Sequence, residues 1–108
     1  MRIRIYQING SSESANRYMD YDYAMEHGGI DENEYKNVFY GDVEAKDLED
    51  IYQLFNSKRV PTHQGHSLSV SDVIEIIESD NEKLNGKCFF CDDVGFRTVD
   101  FDTSRCQE

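Results

Sequence analysis

The stretch 65–77 carries the most detailed structural signal in this chain, because it joins a helix-start motif to a helical repeat of apolar residues. Ser69 followed three positions later by Asp72 has the spacing of a capping box, in which each side chain binds a backbone N–H that a helix leaves unsatisfied. Four apolar residues then recur with the spacing of one helix face: Val70, Val73, Ile74 and Ile77. The sequence therefore predicts a buried helix over residues 69–77.

Three other stretches predict strands. Alternating charged and apolar residues over 2–8 indicate a first strand. Residues 18–23 alternate aromatic or apolar residues with aspartate, which favours a short strand, with a helical turn from Ala24 as the alternative. Residues 35–43 predict a further short strand that ends in a turn.

A second helix and a hairpin complete the expected fold. Apolar residues repeat with helical spacing over 47–55, and two strand-like runs at 88–91 and 96–101 flank a turn rich in aspartate and glycine. The sequence thus predicts an α+β domain over residues 1–102. Its small, mostly antiparallel sheet would carry two main amphipathic helices packed on one face and a C-terminal β-hairpin, followed by a flexible tail.

Size and composition point to one folded domain. The chain has 108 residues, 38% of them hydrophobic, which is enough for a single modest core. No apolar run approaches the roughly 18 residues that a transmembrane helix needs, and the N-terminal residues lack the apolar core of a signal peptide. We therefore expect a cytoplasmic protein without membrane contacts.

Acidic residues dominate the charge and are unevenly distributed. The chain holds 22 acidic and 11 basic residues, for a net charge of −11. Residues 20–50, the acidic segment, contain eleven acids against only Lys36 and Lys46, a net −9. Such a field repels phosphate backbones and steers the protein toward basic surfaces, so direct binding of nucleic acid is not expected. The alternative is that the charge serves solubility alone.

Tyrosines alternate with acids in the acidic segment, a pattern that suits a protein interface or a mimic of nucleic acid. The alternative is that these tyrosines serve the core. The candidate partner-binding residues are Asp20, Tyr21, Asp22, Tyr23, Glu26, Asp31, Glu32, Glu34, Asp42, Glu44, Asp47, Glu49 and Asp50.

Two of the cysteines have the spacing of a zinc or redox site, but the predicted structure around them suits neither. Cys88 and Cys91 form a lone C-x-x-C, which is half of a zinc site, and His63 and His66 could complete it in principle. Because positions i and i+3 of a strand point to opposite faces, the two thiols would diverge and could not bind one metal ion. A redox C-x-x-C is expected at the start of a helix, and this stretch is predicted to be a strand. We therefore interpret the two as buried apolar cysteines and expect no metal or other cofactor.

Two further groups have weak catalytic patterns. His63 and His66 lie in a polar connector, and if the chain cleaved RNA they would be the first candidates for general acid and base. The carboxylates that could include a magnesium site do not converge in the sequence: Asp20, Asp22, Asp42, Glu44, Asp92 and Asp93. We assign no catalytic residue.

Four segments together resemble the YodL-like domain family of Firmicutes mobile elements. In chain order they are MRIRIYQIN, YGDVEAKDLEDIYQLFN, GHSLSVSDVIEI and FFCDDVGFRTVDF. The most specific are SLSVSDV and FFCDDVGF, whereas residues 11–34 match the family only loosely.

The resemblance implies a protein of a mobile genetic element. YodL-like domains occur in proteins of conjugative elements and plasmids, and one is associated with the actin-like cell-shape machinery. Small chains of this type also resemble anti-CRISPR proteins. The expected function is an acidic inhibitor that binds Cas9, or another basic nucleic-acid-binding protein, and interferes with guide RNA loading. The alternatives are a ribonuclease that trims guide RNA and a modulator of the actin-like machinery.

Overall fold

The computed structural model describes residues 1–9 and 16–107, which form one sheet with helical segments on both sides. The strands are β1 (Arg2–Ile8), β2 (Tyr35–Asp42), β3 (Val73–Glu78), β4 (Lys87–Cys91) and β5 (Phe96–Val99). The helices are α1 (Tyr21–Glu26) and α2 (Leu48–Ser57), with short 3₁₀ turns at Glu32–Glu34 and Thr103–Arg105. The sheet order is β2-β1-β3-β4-β5, and every neighbouring pair is antiparallel. The predicted α+β class with an antiparallel sheet is confirmed.

The helix predicted over residues 69–77 is wrong, because Val73, Ile74 and Ile77 of its apolar stripe belong to β3 at the centre of the sheet and Val70 lies in the turn before it. Val73 is buried on one face, and Ile74 and Ile76 are buried on the other. A strand that is covered on both faces reads as a nearly continuous apolar run, and such a run also satisfies a helical repeat. The valine and isoleucines favour the strand, since β-branched side chains fit a pleated sheet.

One face of the sheet packs against α2, and we call it the α2 face. Strand residues of β1, β3 and β4 supply its floor: Ile3, Ile5, Ile74, Ile76, Phe89 and Cys91. Ile51 and Phe55 of α2 are buried against them, and the ring of Phe55 meets that of Phe39 at 5.0 Å. The helix predicted over 47–55 is confirmed, with its predicted apolar stripe turned to the sheet.

The opposite face, the α1 face, has its own core. It holds Tyr6, Ile8, Tyr35, Val73, Cys88 and Phe90. Tyr21 of α1 packs edge-on against Phe90, with 5.8 Å between ring centroids, and Phe101 packs against Tyr35 at 5.1 Å. The prediction that two main helices pack on one face is therefore wrong. Of the two predicted helices only α2 exists, since the residues of the other form β3, and the short helix α1 covers the α1 face.

The strand predicted over residues 18–23 is also wrong. The side chain of Asp20 accepts a 2.8 Å hydrogen bond from the N–H of Tyr23, so it caps a helix that begins at Tyr21. Helical backbone places the tyrosines on different sides of α1, and alternation with aspartate did not reveal this. Gly28 and Gly29, both with positive φ, follow the helix and end it.

The remaining predicted strands are confirmed as β1, β2 and the β4–β5 hairpin, in which Cys91 pairs with Phe96. Beyond the hairpin, the segment expected to be a flexible tail runs beside β2, where the N–H of Gln107 donates to the carbonyl of Tyr35 at 2.8 Å. In the same segment, Nη1 of Arg105 lies 3.4 Å from Oε1 of Glu32 and forms an ion pair with it. No helix in the described ranges has the length and apolar character needed to cross a membrane.

Candidate partner-binding surface

Several acids of the acidic segment hold its own backbone in place. Asp20, Asp31 and Asp47 each precede a helical segment, and each carboxylate accepts a hydrogen bond from a backbone N–H of the first turn. This is the usual task of an aspartate at an N-cap, where it satisfies a donor that the helix leaves free. These three positions therefore have a structural reason to be acidic.

Four more acids of the segment are engaged by neighbours. One of these acids is Asp22, whose Oδ1 lies 4.0 Å from Nη2 of Arg97. Asp50 accepts from the backbone N–H of Lys46 at 3.0 Å, and Asp42 pairs with Arg2 at 3.2 Å. Glu32 accepts from the N–H of Asp102 at 3.1 Å and from the guanidinium of Arg105, so it fastens the C-terminal segment to the 3₁₀ turn.

A groove beside α1 gathers part of the candidate set. Its cavity has a volume of about 420 Å³ and is lined by Tyr18, Met19, Asp20, Asp22, Tyr23, Glu26, Val70 and Asp93. An adjoining cavity of about 150 Å³ shares Val70 and Asp93 and adds Glu49, Tyr52, Asp92, Gly95 and Phe96. We call the two together the acidic groove. It combines acids from α1, α2 and the β4–β5 turn with four aromatic rings.

The other candidate residues lie elsewhere, so the acidic segment does not form a single surface. Asp31, Glu32 and Glu34 surround the 3₁₀ turn next to the C-terminal segment. Asp42 lines a cavity at the start of β1 together with Arg2 and Lys46, and Glu44 is exposed in the loop before α2.

Asp92 anchors the groove, whereas its sequence context indicates a residue of the hairpin turn and one of the candidate magnesium carboxylates. Its carboxylate accepts hydrogen bonds from the N–H of Tyr21 at 3.1 Å and from Nε of Arg97 at 2.9 Å, which ties α1 to the hairpin. Burial by itself would raise the pKa of Asp92, but these bonds and that from the N–H of Asp93 outweigh it and hold the pKa below its usual value. Asp92 therefore stays ionised at neutral pH, and its charge is paired with that of Arg97.

The three tyrosines at and before α1 differ in their surroundings: two lie at the surface of the groove and one packs against the core. Tyr18 is 52% exposed and has a φ of +67°, and its N–H donates to Oγ of Ser71 at 3.0 Å. Tyr23 stacks on His27 at 3.9 Å. Tyr21, by contrast, packs between Phe90 and the guanidinium of Arg97, which sits 4.5 Å from its ring centre. Of these three tyrosines, Tyr18 and Tyr23 thus line the groove.

The two connector histidines have different surroundings. The ring of His63 packs edge-on against Phe55 at 5.1 Å, and burial, followed by the neighbouring His66, lowers its pKa. Nδ1 of His66 lies 2.7 Å from the carbonyl of Ser67 and 3.3 Å from Nε2 of Gln7.

Cys88 and Cys91 lie on opposite faces of the sheet, in the α1 and α2 cores respectively, and both are buried free thiols. The predicted divergence of the pair along a strand is confirmed. Burial is the main cause that raises the pKa of Cys88 to about 11. Among the residues that the structure describes, no group of three or more His, Cys, Asp or Glu side chains is placed to hold a metal ion.

Comparison with known proteins yields one positive result. No curated protein and no solved structure matches this chain. The family model described as the YodL-like domain matches residues 2–101, a range that contains the five strands and two α-helices of the described residues. The chain therefore belongs to the YodL-like domain family.

Proposed function

We propose that this domain is a non-enzymatic binding module that docks its acidic groove onto a basic, nucleic-acid-binding surface of a partner protein. The observation that supports this most directly is the meeting of Asp20, Asp22 and Glu26 with two displayed tyrosines in one cavity. Glu49 and Asp93 reach the same groove from distant parts of the chain.

The chemistry of the groove suits arginine and lysine side chains. Carboxylates accept charge-assisted hydrogen bonds from guanidinium groups, and tyrosine rings accept cations on their faces. The exposed ring of Tyr18 adds apolar contact area at low entropic cost. A net charge of −11 also speeds encounter with a positively charged partner.

For the partner we propose Cas9. It holds its guide RNA and heteroduplex in a positively charged channel, which a compact acidic domain can enter in place of RNA. If the protein comes from a mobile genetic element, as we propose, that element gains by blocking such an effector. On this proposal the domain occupies the channel of apo-Cas9 and excludes the guide.

The experiment mixes the purified protein with apo-Cas9, adds labelled guide RNA, and measures guide binding at about 0.1 M salt, where exposed charges interact over about 10 Å. We expect the guide to be excluded when the protein is added first and to be little affected when the guide is loaded first. Absence of binding to apo-Cas9 would overturn the choice of partner.

The same samples test the alternative of guide RNA cleavage. After incubation with and without Cas9 and Mg²⁺, the guide is resolved on a denaturing gel. A full-length guide in every lane is the expected result. Shortened guide that disappears with His63→Ala or His66→Ala would replace the binding proposal with a ribonuclease.

A further inference from the structure

A second charged region, of opposite sign, lies at the other end of α2. Between Asp50 and Asp72 the chain has no acidic residue, whereas it carries Lys58 and Arg59 together with two histidines. This is the reverse of the charge elsewhere in a protein of net −11. Because α2 begins among acids at Asp47, its two ends face opposite electrostatic surroundings.

The local fold gathers this positive charge around a cavity. Lys58 has extended backbone and ends α2, while its N–H still donates to the carbonyl of Leu54 at 3.3 Å. Pro61 prevents the helix from continuing. Thr62, with a φ of +66°, reverses the chain so that the N–H of His63 donates to the carbonyl of Val60 at 3.2 Å. The result is that His63 returns to the end of the helix.

The cavity at this end has a volume of about 460 Å³, and the residues that matter for its chemistry are Ser57, Lys58, Arg59, His63 and Ser67. Lys58 and Arg59 are exposed, and neither forms an ion pair with any residue in the described ranges. Four of the chain's other basic residues, Arg2, Arg4, Arg97 and Arg105, do form such pairs. The cavity is therefore bordered by two cations that have no ion-pair partner among the described residues.

His63 gives the cavity an unused hydrogen-bonding group. Its Nε2 is buried and has no hydrogen-bond partner among the described residues, and the ring is held against Phe55. Cations after a helix are favoured by the helix dipole alone. The dipole does not account for the cavity or for the unpartnered imidazole nitrogen, which is shielded from solvent and becomes available to a bound anion when the His63 ring turns.

We propose that this cavity binds a phosphate group, with Lys58 and Arg59 as its cationic contacts and His63 as a hydrogen-bonding side chain at its wall. The guanidinium offers a planar fork that matches phosphate oxygens, and the ammonium adds a point charge. The phosphate arrives either on a small molecule or on a nucleic-acid strand. The site is separate from the acidic groove, so the two proposals stand or fall independently.

The test follows the histidine ring resonances of the full chain by NMR while pyrophosphate, AMP or a short single-stranded RNA is added in separate titrations. Phosphate binding places an anion beside His63 and is expected to raise its pKa, since a nearby negative charge favours the imidazolium. His27 stacks on Tyr23 in α1 and serves as the internal reference. Response to pyrophosphate and AMP assigns the site to small phosphates, and response to RNA alone assigns it to a nucleic-acid backbone.

Two variants with the same charge change decide whether the cavity is responsible. Lys58→Glu with Arg59→Glu reverses both cations of the cavity, and Lys83→Glu with Lys87→Glu reverses two exposed lysines that do not line it. We expect affinity to fall about tenfold or more for the first pair and to stay within about twofold for the second. An equal loss in both pairs, or no shift of His63 with any of the three ligands, would overturn the proposal.

Discussion

The carboxylate of Asp72 accepts a 2.7 Å hydrogen bond from the backbone N–H of Ser69, three residues earlier, although no helix follows. The same oxygen accepts a 3.0 Å hydrogen bond from Nε2 of Gln7 on β1. One of the two hydrogen bonds of the predicted capping box thus forms, but at the entry to β3. Together with the bond from Gln7, it joins the segment that precedes β3 to β1. Asp72 is only 1% exposed, and this burial raises its pKa to about 8, against the lowering effect of both hydrogen bonds.

Replacing Asp72 by asparagine is expected to flatten the pH dependence of stability. The pKa of Asp72 is raised on folding from 3.8 to about 8, so the folded protein holds a proton that the unfolded chain releases between these values. Its contribution to stability is complete below about pH 4 and is lost as pH rises through 8, by an amount on the order of a few kcal/mol. Asparagine keeps the acceptor oxygen and has no such titration.

Urea unfolding of the parent protein and Asp72→Asn at several pH values between 4 and 9 gives the comparison. The difference in unfolding free energy should shift in favour of the variant as pH rises. A constant difference across this range would show that Asp72 keeps an ordinary pKa in the fold.

The two neighbouring strands β1 and β3 show which parts of the fold can be predicted from the sequence. Arg2–Ile8 was predicted correctly because Arg2 and Arg4 alternate with Ile3 and Ile5, and the first half of this strand leaves its arginine face accessible while its isoleucine face is buried. Val73–Glu78 was not predicted as a strand, because both of its faces are covered and its sequence therefore lacks the alternation of apolar and polar residues that marks a strand. A capping motif next to an apolar run then favoured the wrong element.

The candidate surface was recovered only in part, for a related reason. The count of acids in residues 20–50 found the charge, but it could not separate acids that cap backbone from those that face solvent. Asp92 and Asp93 join the acidic groove through the pairing of β4 with β5 and through contact with α1. No local pattern encodes that contact, since Tyr21 and Asp92 are 71 positions apart.

Gly65→Ala should destabilise the fold. A Cβ at this position would collide with the side-chain amide of Gln7 and lie 3.0 Å from Cβ of Val38. Gln7 is buried and already bonded to Asp72, so it cannot move freely. We expect a loss of about 1–3 kcal/mol in unfolding free energy. The exposed neighbour Gln64→Ala should change it by less than about 0.5 kcal/mol, and a similar result for Gly65→Ala would contradict the packing described.

Asp47→Ala should cost about 1 kcal/mol of stability, because its carboxylate accepts from the N–H of Asp50 at the start of α2. Glu44→Ala removes the same charge from an exposed loop position and should cost less than about 0.5 kcal/mol. Thermal unfolding followed by circular dichroism measures both. Equal costs would mean that the acids act through net charge and not through capping.

The thiols should differ in reactivity according to burial. Cys91 is 0% and Cys88 7% exposed, whereas Cys106 is half-buried; burial raises the pKa of all three. In the native protein a thiol reagent should modify Cys106 first, and all three only on unfolding. Cys106→Ser should leave almost no native reactivity. Rapid native modification of Cys88 and Cys91 would contradict their placement in the two cores.

We propose that the acidic groove, and not total charge, binds the partner. The most direct test of this claim is the affinity for apo-Cas9 of two charge-matched variants. Asp22→Asn with Glu26→Gln neutralises two acids that line the groove, and Asp80→Asn with Glu82→Gln neutralises two exposed acids outside it. We predict a loss of about tenfold or more for the groove variant and less than about twofold for the other. Equal affinities of the two variants would contradict the claim.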